Sequence, residues 1–261
     1  MIRFLAGFLT VPLLAALVLA VTPGPETGPF PGPLAAGVRA VVQRAAAGDT
    51  AAQRQIAGWL WHGTHGPADR VRAAEYYRQA AAAGDALALH EHGANLVAAE
   101  PAAGLALIEQ AAQAGVLEAQ LFLAMRLDAS SDPDRDRKAA EWYLRAAEQG
   151  DLHAQVMAGL MLLHGRGVEQ DAAAAYGWFD RAARAGAANA QRELAAVLAA
   201  GAGVSADPLR ALVWATLAAE GGAEGAAALR DSQSAALTEE DRARAAEMIR
   251  ACHAGGLASC G

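Results

Sequence analysis

Residues 164–171 read HGRGVEQD, and a pair of glycines around an arginine is a stretch that can cradle a phosphate with its backbone amides. A dinucleotide fingerprint also needs a preceding strand, a third glycine and a following helix whose N-terminus faces the pyrophosphate. Here Gln170 stands where the third glycine belongs, and the preceding MAGLMLL has a helical pattern. The tail CHAGGLASCG offers Cys252, His253 and Cys260 as three zinc ligands. Zinc prefers tighter pairs and a fourth ligand, and none is near, so no metal is expected. In an exported chain the pair is most simply a disulfide, Cys252 to Cys260. DPDRDR at 132–137 has alternate aspartates like a calcium loop, but Arg137 replaces the glycine at position six and Tyr143 the glutamate at position twelve. An acidic loop between helices is the expectation there. The histidine pairs His62 with His65 and His90 with His92 are not spaced to share a helix face as ligands, and a structural role is expected for them.

Other catalytic signatures are missing. No G-x-S-x-G, S-x-x-K, H-E-x-x-H or P-loop occurs, and the only lysine is Lys138, which removes most lysine-dependent schemes. The formal charge is -7 and the arginines are scattered without a basic stripe, which argues against nucleic-acid binding. The reading is therefore of a protein that is not an enzyme and carries no cofactor.

The N-terminus, MIRFLAGFLTVPLLAALVLAV, has one arginine, an apolar run at 4–21 and an A-x-A-like spacing at Val18-Leu19-Ala20. These are the parts of a secretory signal peptide. Pro12 and the following TPGPETGPFPGP at 22–33 favour cleavage; the alternative is an uncleaved anchor, a membrane tether through residues 4–21. Both place the rest outside the cytoplasm, in the periplasm or beyond.

Of the 261 residues 54% are hydrophobic but only 5% aromatic; alanine supplies most of the apolar count and favours helix. A repeat organises them. Gly48, Gly84, Gly115, Gly150, Gly186 and Gly221 each follow an alanine-rich segment at a period near 35, the length of a helix-turn-helix unit in a solenoid. Four residues after the first five glycines stand Ala52, Ala88, Ala119, Ala154 and Ala190, and four of these are followed by Gln53, Gln120, Gln155 or Gln191. Nine after stand Ala57, Gly93, Ala124, Gly159 and Ala195; twelve after, always leucine. This is the first helix, A, with small sites for close packing and leucine as its apolar payload. Seven before the next glycine stand Tyr77, Ile108, Tyr143, Phe179 and Trp214, and three before stand Ala81, Ala112, Ala147, Ala183 and Ala218. This is the second helix, B, whose large residue and alanine share one face. HGRGVEQD recurs as AGAGVSAD at 200–207 and, worn, as HGTHGPAD at 62–69. A glycine turn that recurs with the repeat is architecture, and the phosphate reading recedes.

The unit at 138–186, with A-x-x-W-Y/F-x-x-A-A-x-x-G in helix B, G-D-x-x-A-Q at the start of helix A and H-G-x-G-V at the turn, resembles the Sel1-like repeat, a relative of the tetratricopeptide repeat. The resemblance covers about Leu34 to Gly222 and implies an all-α, right-handed superhelical solenoid of antiparallel hairpins, about five repeats with caps. The expected organisation is a signal or anchor at 1–21, a Pro/Gly-rich linker at 22–33, repeats at 34–231, and a capping helix with a Cys-closed tail at 232–261. The resemblance further implies an exported adaptor for a protein partner in the cell envelope, in signalling, polysaccharide export or complex assembly, with helix A lining the concave side. Partner contacts are then expected from Trp59, Trp61, Asn95 and Arg126, which vary between repeats. Gln53, Gln120, Gln155 and Gln191 are candidates too, although recurrence favours hydrogen bonding between repeats for them. The alternative is a hydrolase acting on the cell wall or on β-lactams, by analogy with a cysteine-rich branch of the family; this chain lacks the cysteine pairs that branch carries within each repeat.

Overall fold

The computed structural model describes residues 28–129, 132–257 and 260. The expected signal or anchor at 1–21 and most of the linker at 22–33 lie outside the described residues. Among the described residues there are thirteen helices and no strand. The chain divides into two compact units, one ending at Tyr76 and the other running from Tyr77 to the C-terminus.

The first unit holds α1 (Ala36–Ala46), α2 (Thr50–His62) and the first half of α3 (Arg70–Ala82). α1 is the lone B-type helix expected before the first hairpin. Its core is Val38, Ala45, Ala52, Ile56, Leu60 and Ala73 together with Phe30. Phe30 belongs to the Pro/Gly-rich stretch, yet it is buried and packs on Trp59 and His65, with ring centroids 6.0 and 5.7 Å away. The end of the linker is therefore part of this unit's core.

The second unit continues with α4 (Ala86–Leu96), α5 (Pro101–Gln113), α6 (Leu117–Asp128), α7 (Pro133–Glu148), α8 (Leu152–His164), α9 (Ala172–Arg184), α10 (Ala188–Ala200) and α11 (Pro208–Glu220), then the cap helices α12 (Ala226–Ala236) and α13 (Glu239–Gly255). Consecutive helices pack on one another from α4 through α12, and α13 packs on α11. The boundary expected at 231/232 falls inside α12.

Local sequence sets the helix ends. Asp49 and Asp151 accept hydrogen bonds from the Ala52 and Ala154 amides at 2.9 and 2.7 Å, and Asp171 and Asp207 cap helices B the same way from Ala174 and Arg210. Thr238 caps α13 by accepting from the Asp241 amide, as expected, and its hydroxyl donates to the Asp241 carboxylate. The turn glycines Gly48, Gly84, Gly115, Gly150 and Gly186 all have φ between +90° and +98°. The sixth member is Gly222 (φ +77°) and not Gly221, which keeps a helical φ of -75°. The identical neighbour hides the one-residue shift in the sequence.

Packing follows the repeat. Ala52, Ala88, Ala119, Ala154 and Ala190 are completely buried, and Tyr77, Ile108, Tyr143, Phe179 and Trp214 are at most 2% exposed. Small residues receive these knobs: a methyl on Gly159 would lie 2.5 Å from the Phe179 ring, and one on Gly93 2.7 Å from Ile108 Cγ1. Each such buried apolar side chain contributes roughly 1.5–3 kcal/mol. Two details differ from the sequence reading. In α3 the buried alanine is Ala80, with Ala81 partly exposed. Of the recurring leucines only Leu60 and Leu198 are buried, while Leu96, Leu127 and Leu162 are half-buried; in α8 the neighbouring Met161 takes the inward position.

Candidate functional site

The recurring glycine turn ends helix A and seats the chain on the helix before it. Gly63, Gly165 and Gly201 end helices A in the left-handed conformation, with φ of +70°, +66° and +70°. In all three turns the capping aspartate's amide donates to the carbonyl of the recurring leucine: Asp69 to Leu60, Asp171 to Leu162, Asp207 to Leu198, at 2.8–2.9 Å. The worn copy at 62–69 thus keeps the geometry of the intact ones. The second glycine has another function. A methyl on Gly167 would lie 2.3 Å from the Asp136 carbonyl carbon and oxygen, and one on Gly203 2.3 Å from the same atoms of Ala172. The turn rests directly on the backbone of the preceding helix B, and only glycine permits that approach.

The arginine between the glycines is also committed. Arg166 reaches Asp128 at 2.5 Å and Asp136 at 3.7 Å. Beneath it lies Tyr143, whose hydroxyl pKa is pushed up to about 12 by burial first and then by the Asp128 carboxylate. Asp136 belongs to α7, which begins at Pro133 with Asp132 as N-cap, so DPDRDR is mainly the first turn of a helix and not the acidic loop expected. Negative charge is stabilised there by the helix dipole.

The glutamines are tied into the scaffold. The side-chain amides of Gln53, Gln120, Gln155 and Gln191 donate to the carbonyls of Ala45, Ala112, Ala147 and Ala183, in each case eight residues back on the preceding helix B. The last three are at most 4% exposed, and Gln120 also accepts from Gln149. Trp59 is half-buried, its ring edge-on to His65 at 4.5 Å. Trp61, also half-buried, carries the Arg70 guanidinium over its ring at 5.3 Å. The Asn95 amide donates to the Tyr77 hydroxyl at 3.1 Å. His92 stacks on the same tyrosine and is held below its ordinary pKa by burial and by Arg78. Arg126 alone among the predicted contact residues is exposed.

Sequence reasoning missed the exposed apolar side chains of helices A. Two large apolar side chains stand exposed among the described residues of the second unit, Leu87 (39%) and Met125 (57%). Both lie on helices A. Met125 is ten residues after its turn glycine; the same position holds Ala94 in α4, Leu160 in α8 and Ala196 in α10. Ala94 and Met125 are exposed at this position, whereas Ala196 is half-buried and Leu160 is half-buried and packs against the core. Its signal was in the aligned repeats, but a pattern search for buried positions passes over it.

At the C-terminus Cys252 and Cys260 form the expected disulfide, with Cα atoms 5.1 Å apart and both residues buried. His253 contacts Glu220 at 2.9 Å, and Leu257 packs near Gly186. No group of three His, Cys, Asp or Glu side chains able to hold a metal occurs among the described residues, nor does a helix long and apolar enough to cross a membrane.

The family model of the Sel1 repeat matches residues 50–85, 86–116, 117–151, 152–186 and 188–222. The chain belongs to the Sel1 repeat family. Its matched Sel1 repeats coincide with the hairpins that begin at α2, α4, α6, α8 and α10. Among solved structures it is similar to a protective antigen of uropathogenic Escherichia coli strains displaying an SLR fold, at 25% identity and a TM-score of 0.62, covering 81% of this chain and 47% of that one. It therefore spans about half the length of that protein. It is also similar to a Sel1 repeat protein from Oxalobacter formigenes, at 26% identity and a TM-score of 0.58, covering 70% of this chain and 78% of that one. A search of the curated proteins finds no match. Sel1 repeat proteins generally mediate protein–protein interaction as non-catalytic scaffolds.

Proposed function

We propose that this Sel1 repeat protein is an exported adaptor, not an enzyme, that binds a protein partner of the cell envelope through the solvent face of helices A in its second unit. The observation that carries this reading is the placement of the two exposed large apolar side chains of the second unit, Leu87 and Met125, on helices A; in the first unit the exposed Val71 stands on helix B α3. A partner that covers these side chains removes their apolar area from water. Arg126 adjoins Met125 and is the predicted contact residue that stays available; arginine is enriched at binding hot spots. Trp59, Trp61 and Asn95 act through the local scaffold they brace, and the four glutamines hold successive helices in register. Export rests on the N-terminal apolar run and on a disulfide, a bond that persists in oxidising compartments.

Site-specific photocrosslinking in the native host tests this. A photoreactive residue at Met125 or Arg126 should give a discrete polypeptide adduct in the envelope fraction, and one at Glu141, exposed on helix B α7, should not. Adducts from Glu141 alone, or protein confined to the cytoplasm, would overturn the reading.

A further inference from the structure

We infer that the first unit rests on an anionic phospholipid surface through the start of α3, residues 70–72, with residues 4–21 kept as its membrane anchor. This goes beyond the adaptor reading and stands or falls apart from it. Three observations carry it.

The first is where the chain enters the fold. The Arg72 guanidinium donates to the Gly28 carbonyl at 3.4 Å, and Phe30 and Pro31 line a shallow hollow together with Arg70, Val71 and Arg72. Gly28 stands seven positions after Val21, where the apolar run ends. A chain spans at most about 3.6 Å per residue, so Gly28 lies within roughly 25 Å of the end of that run. The run itself reaches the lower length limit for crossing a bilayer. The start of α3 is thus tied close to any membrane that holds residues 4–21. Pro12 and the proline-rich stretch favour cleavage of the run, whereas the surface beside the chain's entry favours the anchor.

The second is what that surface carries. Val71, the second residue of α3, is 83% exposed. A lone exposed valine is ordinary on a protein surface. This one stands between two arginines beside the chain's entry. Arg70 is exposed, and its guanidinium lies over the Trp61 ring at 5.3 Å. An apolar side chain flanked by cations, with an indole behind them, suits the level of phospholipid headgroups, where arginine stems lie along apolar surface and their charged heads stay in water.

The third is charge. Close to Val71 the arginines face two acids: Asp69, which accepts from the Arg72 amide at 3.0 Å, and exposed Glu75 one turn further along α3. Orientation therefore comes from the field of the whole unit. Residues 28–76 carry five arginines against three acids, a net of +2, while residues 77–261 carry 15 arginines and lysines against 24 acids, a net of -9. An anionic surface draws the first unit and repels the rest of the chain.

The test places a fluorophore on the disulfide-bonded full chain, reconstituted in vesicles of phosphatidylcholine mixed with phosphatidylglycerol. Both native cysteines are bonded, so Val71→Cys or, as control, Met125→Cys supplies the one free thiol. A quencher carried on lipid headgroups should quench the Val71 probe several-fold more than the Met125 probe. The excess should vanish in phosphatidylcholine alone, with added salt, and in Arg70→Glu, an exposed change that should keep the helical circular dichroism of the parent. Equal quenching at the two positions would overturn the proposal. So would a Val71 probe shielded from both the lipid quencher and aqueous iodide, which would mark a protein contact in its place. Mass spectrometry of the chain from its native host should find residues 4–21 present; their removal would overturn the anchor and leave the helix A reading standing.

Discussion

Replacing Gly167 with alanine should cost this protein much more than the same change at Gly186, although both glycines have positive φ. At Gly186 (φ +94°) a methyl meets only Leu257 Cδ1 at 3.7 Å, an ordinary contact. The penalty there is the left-handed conformation alone, about 1–2 kcal/mol. At Gly167 (φ +73°) the same methyl would sit 2.3 Å from the carbonyl carbon and oxygen of Asp136 and 2.6 Å from the Arg137 nitrogen. These are backbone atoms of a helix and cannot swing aside. Overpacking of this kind adds about 1–3 kcal/mol, for a total of roughly 2–5 kcal/mol. The total stability of a domain is only about 5–15 kcal/mol. Urea denaturation followed by circular dichroism, with hydrogen exchange to locate the loss, measures both variants. The exchange should quicken in α7 and α8 for Gly167→Ala. If Gly167→Ala loses no more stability than Gly186→Ala, the turn does not rest on the preceding helix as described, and the account of the recurring H-G-x-G-V turn fails with it.

The disulfide closes a loop with a sequence separation of 8. The chain-entropy relation gives about 2.6 kcal/mol for a loop of that size, so the Cys252→Ser, Cys260→Ser double variant should unfold at correspondingly lower urea concentration. Gln155→Met removes one donor from the Ala147 carbonyl, which keeps the Gly150 amide, and should cost about 0.5–1.5 kcal/mol in the same assay. Tyr143 has its pKa raised from 10.0 to about 12, so the stability it contributes is complete below pH 10 and is lost as pH rises from 10 towards 12. A tenfold change in proton affinity corresponds to about 1.4 kcal/mol, and Tyr143→Phe should flatten the alkaline limb of the stability curve by that order. His92 is depressed below 6.5, so its contribution is present above that pH and is lost as pH falls below it; His92→Gln should reduce the acid sensitivity seen in denaturation at successive pH values.

The scaffold was legible because a repeat states each packing rule several times. Alanine four residues after every turn glycine, and a large residue seven before the next, can be read as one buried seam even where a single copy is worn. What stayed hidden was mostly information held in backbone contacts. That Gly167 needs its hydrogen because Asp136 lies against it depends on a neighbour in another repeat. That Gly222 and not Gly221 has positive φ depends on where α11 stops. Asp132 to Asp136 read as a loop because alternating acids carry no helical periodicity, yet Pro133 and the dipole make them a helix start.

The candidate surface was less legible for the opposite reason. Residues that recur are fixed by the scaffold, and the four glutamines, the most regular polar feature, bond to the helix eight residues behind them. Variation between repeats is the better guide, but it needs a position known to face solvent. Trp59 and Asn95 vary and still pack inward, against His65 and Tyr77. At the position of Met125 variation and exposure coincide. A core would bury a methionine and a water-facing helix would carry charge there; the position instead reads Ala, Met, Leu, Ala along α4, α6, α8 and α10. Packing accounts for Leu160, which lies against the core of the second unit, but not for exposed Met125, whose physical rationale lies in what its helix meets from outside.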